Sequence, residues 1–111
     1  MKILVLEDNP NRIEDFKRKF ISDNVTYTED AYEAIGHLKK TKFDLVCLDH
    51  DLGGMQIEYD LENCGTVVAE WINDYPVRDT EFVIHSLNSP LAENMQKLIP
   101  GSKYIPFYWL T

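Results

Sequence analysis

The chain has few cysteines, few basic residues and no long apolar run, and each shortage narrows what it can be. Its two cysteines, Cys47 and Cys64, form neither a Cys-x-x-Cys pair nor a disulfide framework, which is typical of a reducing cytoplasm. No apolar stretch approaches the roughly 20 residues that span a membrane, and the short apolar start is not a signal sequence. We therefore expect a cytoplasmic protein that does not act at a membrane.

The shortage of basic residues argues against general DNA binding. The chain has 11 basic and 19 acidic residues, a net charge of −8, so a phosphate backbone would be repelled. Two functional hypotheses remain for the acidic excess, namely a site for a divalent cation and a decoy that occupies the nucleic-acid groove of another protein. Against the decoy stands the simpler explanation that most small acidic proteins are merely soluble. The length of 111 residues and the 44% hydrophobic content predict one globular domain, residues 1–111.

Strand and helix patterns alternate along the chain. The predicted strands are Ile3–Leu6, Val25–Thr28, Leu45–Asp49, Phe82–Ile84 and Tyr104–Ile105. Helices are predicted between them, with Asn9, Asp30, Asn63 and Ser89 as N-caps. This alternation predicts right-handed βαβ units and a parallel sheet covered on both faces. We expect the three-layer α/β fold of flavodoxin-like proteins, with a five-stranded sheet of order 2-1-3-4-5.

Polar residues follow three of these strands, at ends that the predicted order brings to one crevice. They are Glu7 and Asp8, then Asp49, His50 and Asp51, then His85 and Ser86. Ionisable groups at the ends of buried strands are costly unless they bind or react with something, and ligands bind beyond such ends. A long loop from 50 to 62 is a candidate lid over this crevice.

The chain resembles a response-regulator receiver domain over nearly its whole length. The acidic pair Glu7-Asp8, Asp49 and the hydroxyl of Ser86 stand where receivers carry such residues. The resemblance implies that the acidic residues bind magnesium and that Asp49 accepts a phosphoryl group. Receivers, however, end the fifth strand with Lys-Pro, whereas Ile105 precedes proline here and the nearest lysine comes two residues early. The lysine that steadies an acyl phosphate is therefore missing.

The chain is more similar to an offshoot of that fold, the cyclic-phosphate-processing receiver domains. The motifs that carry this resemblance are Asp-His-Asp-Leu at 49–52, His-Ser-Leu-Asn at 85–88 and Glu-Asn-Met at 93–95. Three motifs in order are more specific than any one of them. The resemblance implies a phosphoesterase that hydrolyses a cyclic phosphate on a nucleotide, an ADP-ribose derivative or an RNA end.

Hydrolysis of a cyclic phosphodiester needs a base for the water, an acid for the leaving alkoxide and groups that stabilise charge on phosphorus. Histidine suits the first two roles, and we assign them to His50 and His85 without deciding which is which. Asp49 or Asp51 would orient one imidazole. The substrate-binding candidates are Ser86, Asn88 and Asn94. Alternatively Glu7, Asp8 and Asp49 hold Mg²⁺ or Mn²⁺ against the phosphate oxygens.

Structural explanations compete with each of these assignments. Asp49 and Asp51 are suited to a turn before the glycines that follow, and a single histidine after a strand is usually a loop residue. The second hypothesis for function is a degenerate receiver that docks a partner or binds a nucleotide without chemistry. A phosphoacceptor receiver is the third, and an acidic inhibitor or sequestering protein of a phage or defence locus is the fourth. The oligomeric state is left open.

Overall fold

Five parallel strands form one sheet in the order β2-β1-β3-β4-β5, in a computed structural model that describes residues 1–50, 64–86 and 89–105. The strands are β1 (Lys2–Leu6), β2 (Asn24–Thr28), β3 (Leu45–Leu48), β4 (Glu81–Ile84) and β5 (Lys103–Tyr104). The predicted strand order and parallel pairing are confirmed. The predicted lid falls largely on residues 51–63, which lie outside the described residues.

Helices connect the strands and cover both faces of the sheet. Within the described residues they are α1 (Pro10–Lys19), α2 (Ala31–Lys40), α3 (Gly65–Asp74) and α4 (Ser89–Leu98). The predicted caps of the first two are confirmed: the side chain of Asn9 accepts from the N–H of Asn11 at 2.9 Å, and that of Asp30 from Tyr32 at 2.8 Å. None of the described helices has the length and apolarity needed to cross a membrane.

Glycine allows α3 to begin directly against the end of β3. The N–H of Gly65 donates to the carbonyl of His50 at 3.0 Å. A Cβ at Gly65 would overlap the carbonyl oxygen of Asp49 and lie 2.8 Å from the Cα of His50. The residue before this glycine, Cys64, is the N-cap of α3, and the predicted cap Asn63 lies outside the described residues.

The two faces of the sheet carry different cores. The larger core packs α2, α3 and α4 on Leu4, Leu6, Val46, Leu48 and Ile84. The smaller core packs α1, through Phe16 and Phe20, on Ile3, Val5, Cys47 and Val83. Cys47 is a buried apolar residue as expected, and burial raises the pKa of its thiol to about 12. The three central strands β1, β3 and β4 are thus buried on both sides over most of their length, as continuous apolar runs predict.

Candidate functional site at the carboxyl edge of the sheet

Side-chain alternation along three neighbouring strands builds a cluster of ionisable groups. Val5, Cys47 and Val83 lie in register on the face that α1 covers. Because successive side chains of a strand point to opposite faces, the residue two positions further along returns to the same face. These next residues are Glu7, Asp49 and His85, which we call the carboxyl-edge cluster.

Sheet hydrogen bonds continue beyond the strands and fix the backbone of this cluster. The N–H of Asp49 donates to the carbonyl of Leu6 at 3.1 Å, and that of His85 donates to Leu48 at 2.9 Å. The N–H of Glu7 is bonded in the same way to the last residue of β2, at 3.0 Å. The side chains therefore start from a rigid frame rather than from loops.

The three side chains of the carboxyl-edge cluster are buried together. Glu7 is 1% exposed, Asp49 is 2% exposed and His85 is fully buried. One carboxylate oxygen of each acid and one ring nitrogen of the histidine all lie within 4.8 Å of one another. Such a group in the interior is stable only if its members share protons, pair with a cation or bind a ligand.

Arg12 brings a positive charge to the cluster from α1. Its Nη1 lies 3.4 Å from Oε1 of Glu7 and 3.7 Å from Oδ2 of Asp49. The side chain of Asn9 accepts from the N–H of Arg12 at 3.3 Å, so the cap of the helix also fixes the point from which the guanidinium reaches inward. Arg12 was not among the site residues predicted from the sequence. The sequence feature that could have indicated it is a basic residue in the first turn of the helix that follows the acidic end of β1.

The pKa values of both carboxyl groups of the cluster are raised. Burial, followed by the neighbouring charge of Glu7, raises the pKa of Asp49 to about 7. Burial also raises the pKa of Glu7, although a hydrogen bond with Asp49 and the charge of Arg12 oppose this. A carboxyl that titrates near neutral pH is poised for proton transfer, as in other pairs of acids held close together.

His85 is neutral and has unused nitrogen atoms. Its ring meets the ring of Phe16 edge-on, with centroids 5.0 Å apart. Burial lowers the pKa of His85 to about 4, so the imidazole carries no charge at neutral pH. Nε2 lies 3.4 Å from Oε1 of Glu7, yet neither ring nitrogen has a hydrogen-bond partner in the part of the chain that the structure describes. A buried polar group left this way usually marks a site for water, an ion or a ligand.

His50 lies apart from the carboxyl-edge cluster, against the start of α3. It is 3% exposed, and its side chain forms a hydrogen bond with the side chain of Cys64. Burial acts to raise the pKa of the Cys64 thiol, but the bond to His50 and the backbone of Thr66 and Val67 outweigh it, and the pKa is lowered. The structure therefore does not bring His50 and His85 together as one pair. His85 continues the face of the sheet that α1 covers, whereas His50 continues the opposite face.

The other predicted site residues have separate positions. Asp8 is half-buried and lines a cleft of about 570 Å³ between α1 and α2, rather than joining the cluster. Ser86 is fully buried after His85, and Asn94 is exposed on α4. The remaining candidates, Asp51 and Asn88, lie outside the described residues.

The lysine near the fifth strand does not reach the site. Nζ of Lys103 lies 2.9 Å from Oε1 of Glu81, at the start of β4, and both side chains are exposed. The position that precedes Pro106 is Ile105, which packs against the smaller core. The expectation that no lysine from this strand serves the crevice agrees with this arrangement.

Comparison with solved structures identifies the fold. The response regulator TrrA of Thermotoga maritima, in complex with Mg²⁺ and BeF, is 22% identical, with a TM-score of 0.72 over 95% of this chain and 84% of that one. The receiver domain of HemR from Leptospira biflexa is 23% identical, with a TM-score of 0.72 over 95% and 80%. The receiver domain of an HD domain-containing protein from Pseudomonas fluorescens Pf-5 is 15% identical, with a TM-score of 0.74 over 97% and 82%. The flavodoxin-like receiver fold is confirmed.

Comparison of the sequence with protein families goes further. No curated protein matches the chain significantly. Residues 2–100 match the family described as "Cyclic-phosphate processing Receiver domain". The match includes every described strand and helix up to the end of α4, and with them Glu7, Arg12, Asp49 and His85. The chain therefore belongs to the cyclic-phosphate processing receiver domain family.

Proposed function

We propose that this chain hydrolyses a cyclic phosphodiester at the carboxyl edge of its sheet. The substrate class is a cyclic phosphate on a nucleotide, an ADP-ribose derivative or an RNA end. The observation that carries the proposal is the carboxyl-edge cluster itself, because Glu7, Asp49 and His85 are buried side by side at a large cost in solvation. Membership of a cyclic-phosphate processing family supports the same reaction class.

Arg12 is the group that meets the charge on phosphorus. Attack on a phosphodiester places extra negative charge on the non-bridging oxygens, and fixed cations nearby stabilise it. The guanidinium of Arg12 is half-buried and already oriented by Glu7 and Asp49. In the proposed reaction its guanidinium N–H groups donate to the phosphate oxygens, a contact for which guanidinium is well shaped.

The carboxyl-edge cluster delivers the attacking water. His85 is neutral at neutral pH, so its lone pair is free to hold or deprotonate a water molecule. Burial raises the pKa of Asp49 to about 7, so its ionised form can take up the proton that the water loses. The sequence left open which histidine is the base and which the acid. This arrangement favours His85 as the base that activates the water.

His50 is the candidate acid for the leaving alkoxide. It lies next to Asp49 in the chain but faces α3, so it would approach the phosphate from the other side of the strand end. Placing acid and base on opposite sides of the phosphorus suits an in-line displacement. Asp51, Ser86, Asn88 and Asn94 keep their predicted roles as orienting and substrate-binding residues.

The donor atoms of the cluster also suit a divalent cation, Mg²⁺ or Mn²⁺. Two carboxylates and an imidazole without hydrogen-bond partners are a metal-ligand set, and the related receiver TrrA was solved with Mg²⁺. A cation held by Glu7, Asp49 and His85 would polarise a phosphate oxygen and acidify a nearby water. In this role Asp8, which lines the neighbouring cleft, is replaced by His85.

A phosphoacceptor role for Asp49 is less well supported. Receivers of that kind need a lysine beside the acyl phosphate, and Lys103 is paired with Glu81 away from the cluster. Asp49 is also protonated over part of the neutral range, which weakens it as a nucleophile. A docking module without chemistry would tolerate loss of the cluster, and the following experiment separates it from an enzyme.

The test is a phosphorus NMR time course with 2′,3′-cyclic nucleotides and an ADP-ribose cyclic phosphate. We expect wild-type protein to open one of them. We expect His85→Ala to lower kcat/KM by about a thousandfold, because a group that activates the nucleophile contributes roughly that much. His37→Ala is the matched control, since His37 is a half-buried residue of α2 far along the chain from the cluster.

Circular dichroism melting curves establish that both variants are folded. Equal turnover by His85→Ala and His37→Ala would refute the role of the cluster. Absence of turnover by folded wild-type protein across the panel, with and without Mg²⁺ or Mn²⁺, would refute the enzyme and favour a docking module.

A further inference from the structure

The nitrogen atoms of His85 are the least explained feature of the carboxyl-edge cluster. The ring is fully buried, and both nitrogens lack a hydrogen-bond partner among the described residues. Leaving a buried donor or acceptor unsatisfied destabilises the folded state. Such a cost is offset when the group binds something that the polypeptide itself does not supply.

Three observations say what that ligand is. Nε2 of His85 lies 3.4 Å from Oε1 of Glu7, so a ring nitrogen is directed at the carboxylates. One donor atom from each of Glu7, Asp49 and His85 lies within 4.8 Å of the others. Ligand atoms around one metal ion are about 3–4 Å apart, given bonds of about 2.1 Å, so small side-chain movements would close the set. The donors are two acids and one neutral imidazole, a set that coordinates a cation directly.

We propose that His85 is a nitrogen ligand that makes this site selective for a transition-metal dication, such as Mn²⁺, Co²⁺ or Zn²⁺, over Mg²⁺. Mg²⁺ prefers oxygen ligands, whereas these ions accept imidazole readily. The inference deepens the proposed function, on whose crevice it rests, by describing the cation-bound site. There His85 would hold the metal, and the metal rather than the imidazole would activate the water. It concerns binding, which is measured without substrate.

Arg12 is the competitor that a cation must face. Its guanidinium lies between the same two carboxylates, 3.4 Å from Glu7 and 3.7 Å from Asp49. Removing this positive charge would lower the repulsion that an incoming dication meets. The site therefore predicts opposite effects for two neighbouring variants: loss of His85 weakens cation binding, and loss of Arg12 strengthens it.

The experiment is a titration of the full chain, stripped with a chelator, with Co²⁺ followed by visible absorption and with Mg²⁺ followed by calorimetry. We expect Co²⁺ to bind at least about tenfold more tightly than Mg²⁺. His85→Ala should lower Co²⁺ affinity by about ten- to a hundredfold and leave Mg²⁺ affinity little changed. Arg12→Gln should raise Co²⁺ affinity several-fold, and His37→Ala should have no effect.

A second measurement on wild-type protein removes the dependence on a variant that could unfold. Nitrogen NMR of the histidine rings should show the His85 signal shifting on addition of Zn²⁺ while the His37 signal stays in place. Cys64→Ser tests for binding at the His50–Cys64 pair instead, because cobalt bound to a thiolate gives an intense near-ultraviolet band.

The proposal is overturned by equal affinity for Co²⁺ and Mg²⁺, by an unmoved His85 signal, or by a cobalt spectrum that Cys64→Ser abolishes. Cation binding with the expected spectrum but no turnover of any cyclic phosphate would sustain this inference while refuting the proposed function. Turnover in the presence of chelator, with an unmoved His85 signal, would do the reverse.

Discussion

The two edges of the sheet carry charged residues in opposite settings. At the amino edge, where the strands begin, Lys103 and Glu81 form an ion pair at 2.9 Å with side chains 64% and 53% exposed. At the carboxyl edge, where the same strands end, Glu7, Asp49 and His85 are at most 2% exposed. Strand β4 shows both settings, because it starts at Glu81 and is followed by His85.

The two settings differ in what they cost the folded protein. An exposed ion pair loses little solvation and contributes little stability, and it needs no further explanation. Buried acids and an imidazole without hydrogen-bond partners lower the stability of the fold, so their presence has to be explained by what they bind or catalyse. Among the described residues, this difference supports the carboxyl edge as the place of the proposed function, and the following changes test it.

The largest expected effect is on the close packing that forms the carboxyl edge. Gly65→Ala places a Cβ against the backbone of Asp49 and His50, and backbone cannot move aside as a flexible side chain does. We expect a loss of about 3 kcal/mol in the free energy of unfolding, measured in urea. Gly36→Ala, in the middle of α2 with no atom within 4 Å of the added Cβ, should instead gain up to about 1 kcal/mol. Equal effects of the two changes would show that α3 does not approach the strand end as described.

Arg12→Ala tests whether the carboxyl edge needs its positive charge for the reaction. We expect kcat/KM for the cyclic phosphate to fall about a hundredfold, chiefly through kcat, because the charge on phosphorus is largest in the transition state. Arg18→Ala is the control on the same helix, since Arg18 is exposed and pairs with Asp15. A similar small change in both variants would remove Arg12 from the site.

The pH dependence of stability tests whether ionisation of the buried Asp49 lowers the free energy of unfolding. Its folded-state pKa, about 7, lies above its ordinary value of 3.8, so the stability due to the protonated carboxyl is present below pH 4 and is lost as the pH rises to 7. Asp49→Asn cannot ionise and avoids that loss. We expect the variant to gain about 1–2 kcal/mol on wild type between pH 5 and 7.5, from urea unfolding with chelator present.

His85 changes the stability in the opposite direction, because its pKa is lowered rather than raised. The pKa of His85 is lowered to about 4, so its contribution to stability is present above pH 6.5 and is lost as the pH falls through 4. Both proteins in the Asp49 comparison retain this histidine, and its contribution cancels in the difference. A difference that stays constant with pH would mean that Asp49 is not buried beside a second acid.

The smallest effect is expected at the amino edge. A double-mutant cycle with Lys103→Ala and Glu81→Ala should give a coupling below about 1 kcal/mol that disappears at high salt. Neither change should alter turnover of a cyclic phosphate. A large coupling, or a loss of activity, would erase the distinction between the two edges.

Most of the fold follows from local patterns in the sequence. Continuous apolar runs such as Leu45–Leu48 predict buried parallel strands, and Asn9 and Asp30 predict where helices begin. These signals are short-range, and neighbouring residues in the chain determine them. The strand order then follows from the regular alternation of strands and helices.

The site was predicted only in part, because its contacts are tertiary. The strand register places Val5, Cys47 and Val83 side by side. With that register known, alternation of side chains would have placed His85 on the same face as Glu7 and Asp49, and His50 on the other face. The contacts of Arg12 with the two carboxylates and the hydrogen bond between His50 and Cys64 depend on how the helices pack on the sheet. This packing cannot be deduced from local patterns in a single sequence. Burial of the histidines was missed for the same reason, since Phe16 covers His85 from another element.

The most direct test of the central claim is where a cyclic phosphate binds. We would titrate ¹⁵N-labelled wild-type protein with a slowly hydrolysed 2′,3′-cyclic phosphorothioate nucleotide and follow the backbone amide signals. We predict the largest shifts at the carboxyl edge, at Glu7, Asp49 and His85, with Lys103 and Glu81 unmoved. Shifts centred on the amino edge, or none at saturating ligand, would contradict it.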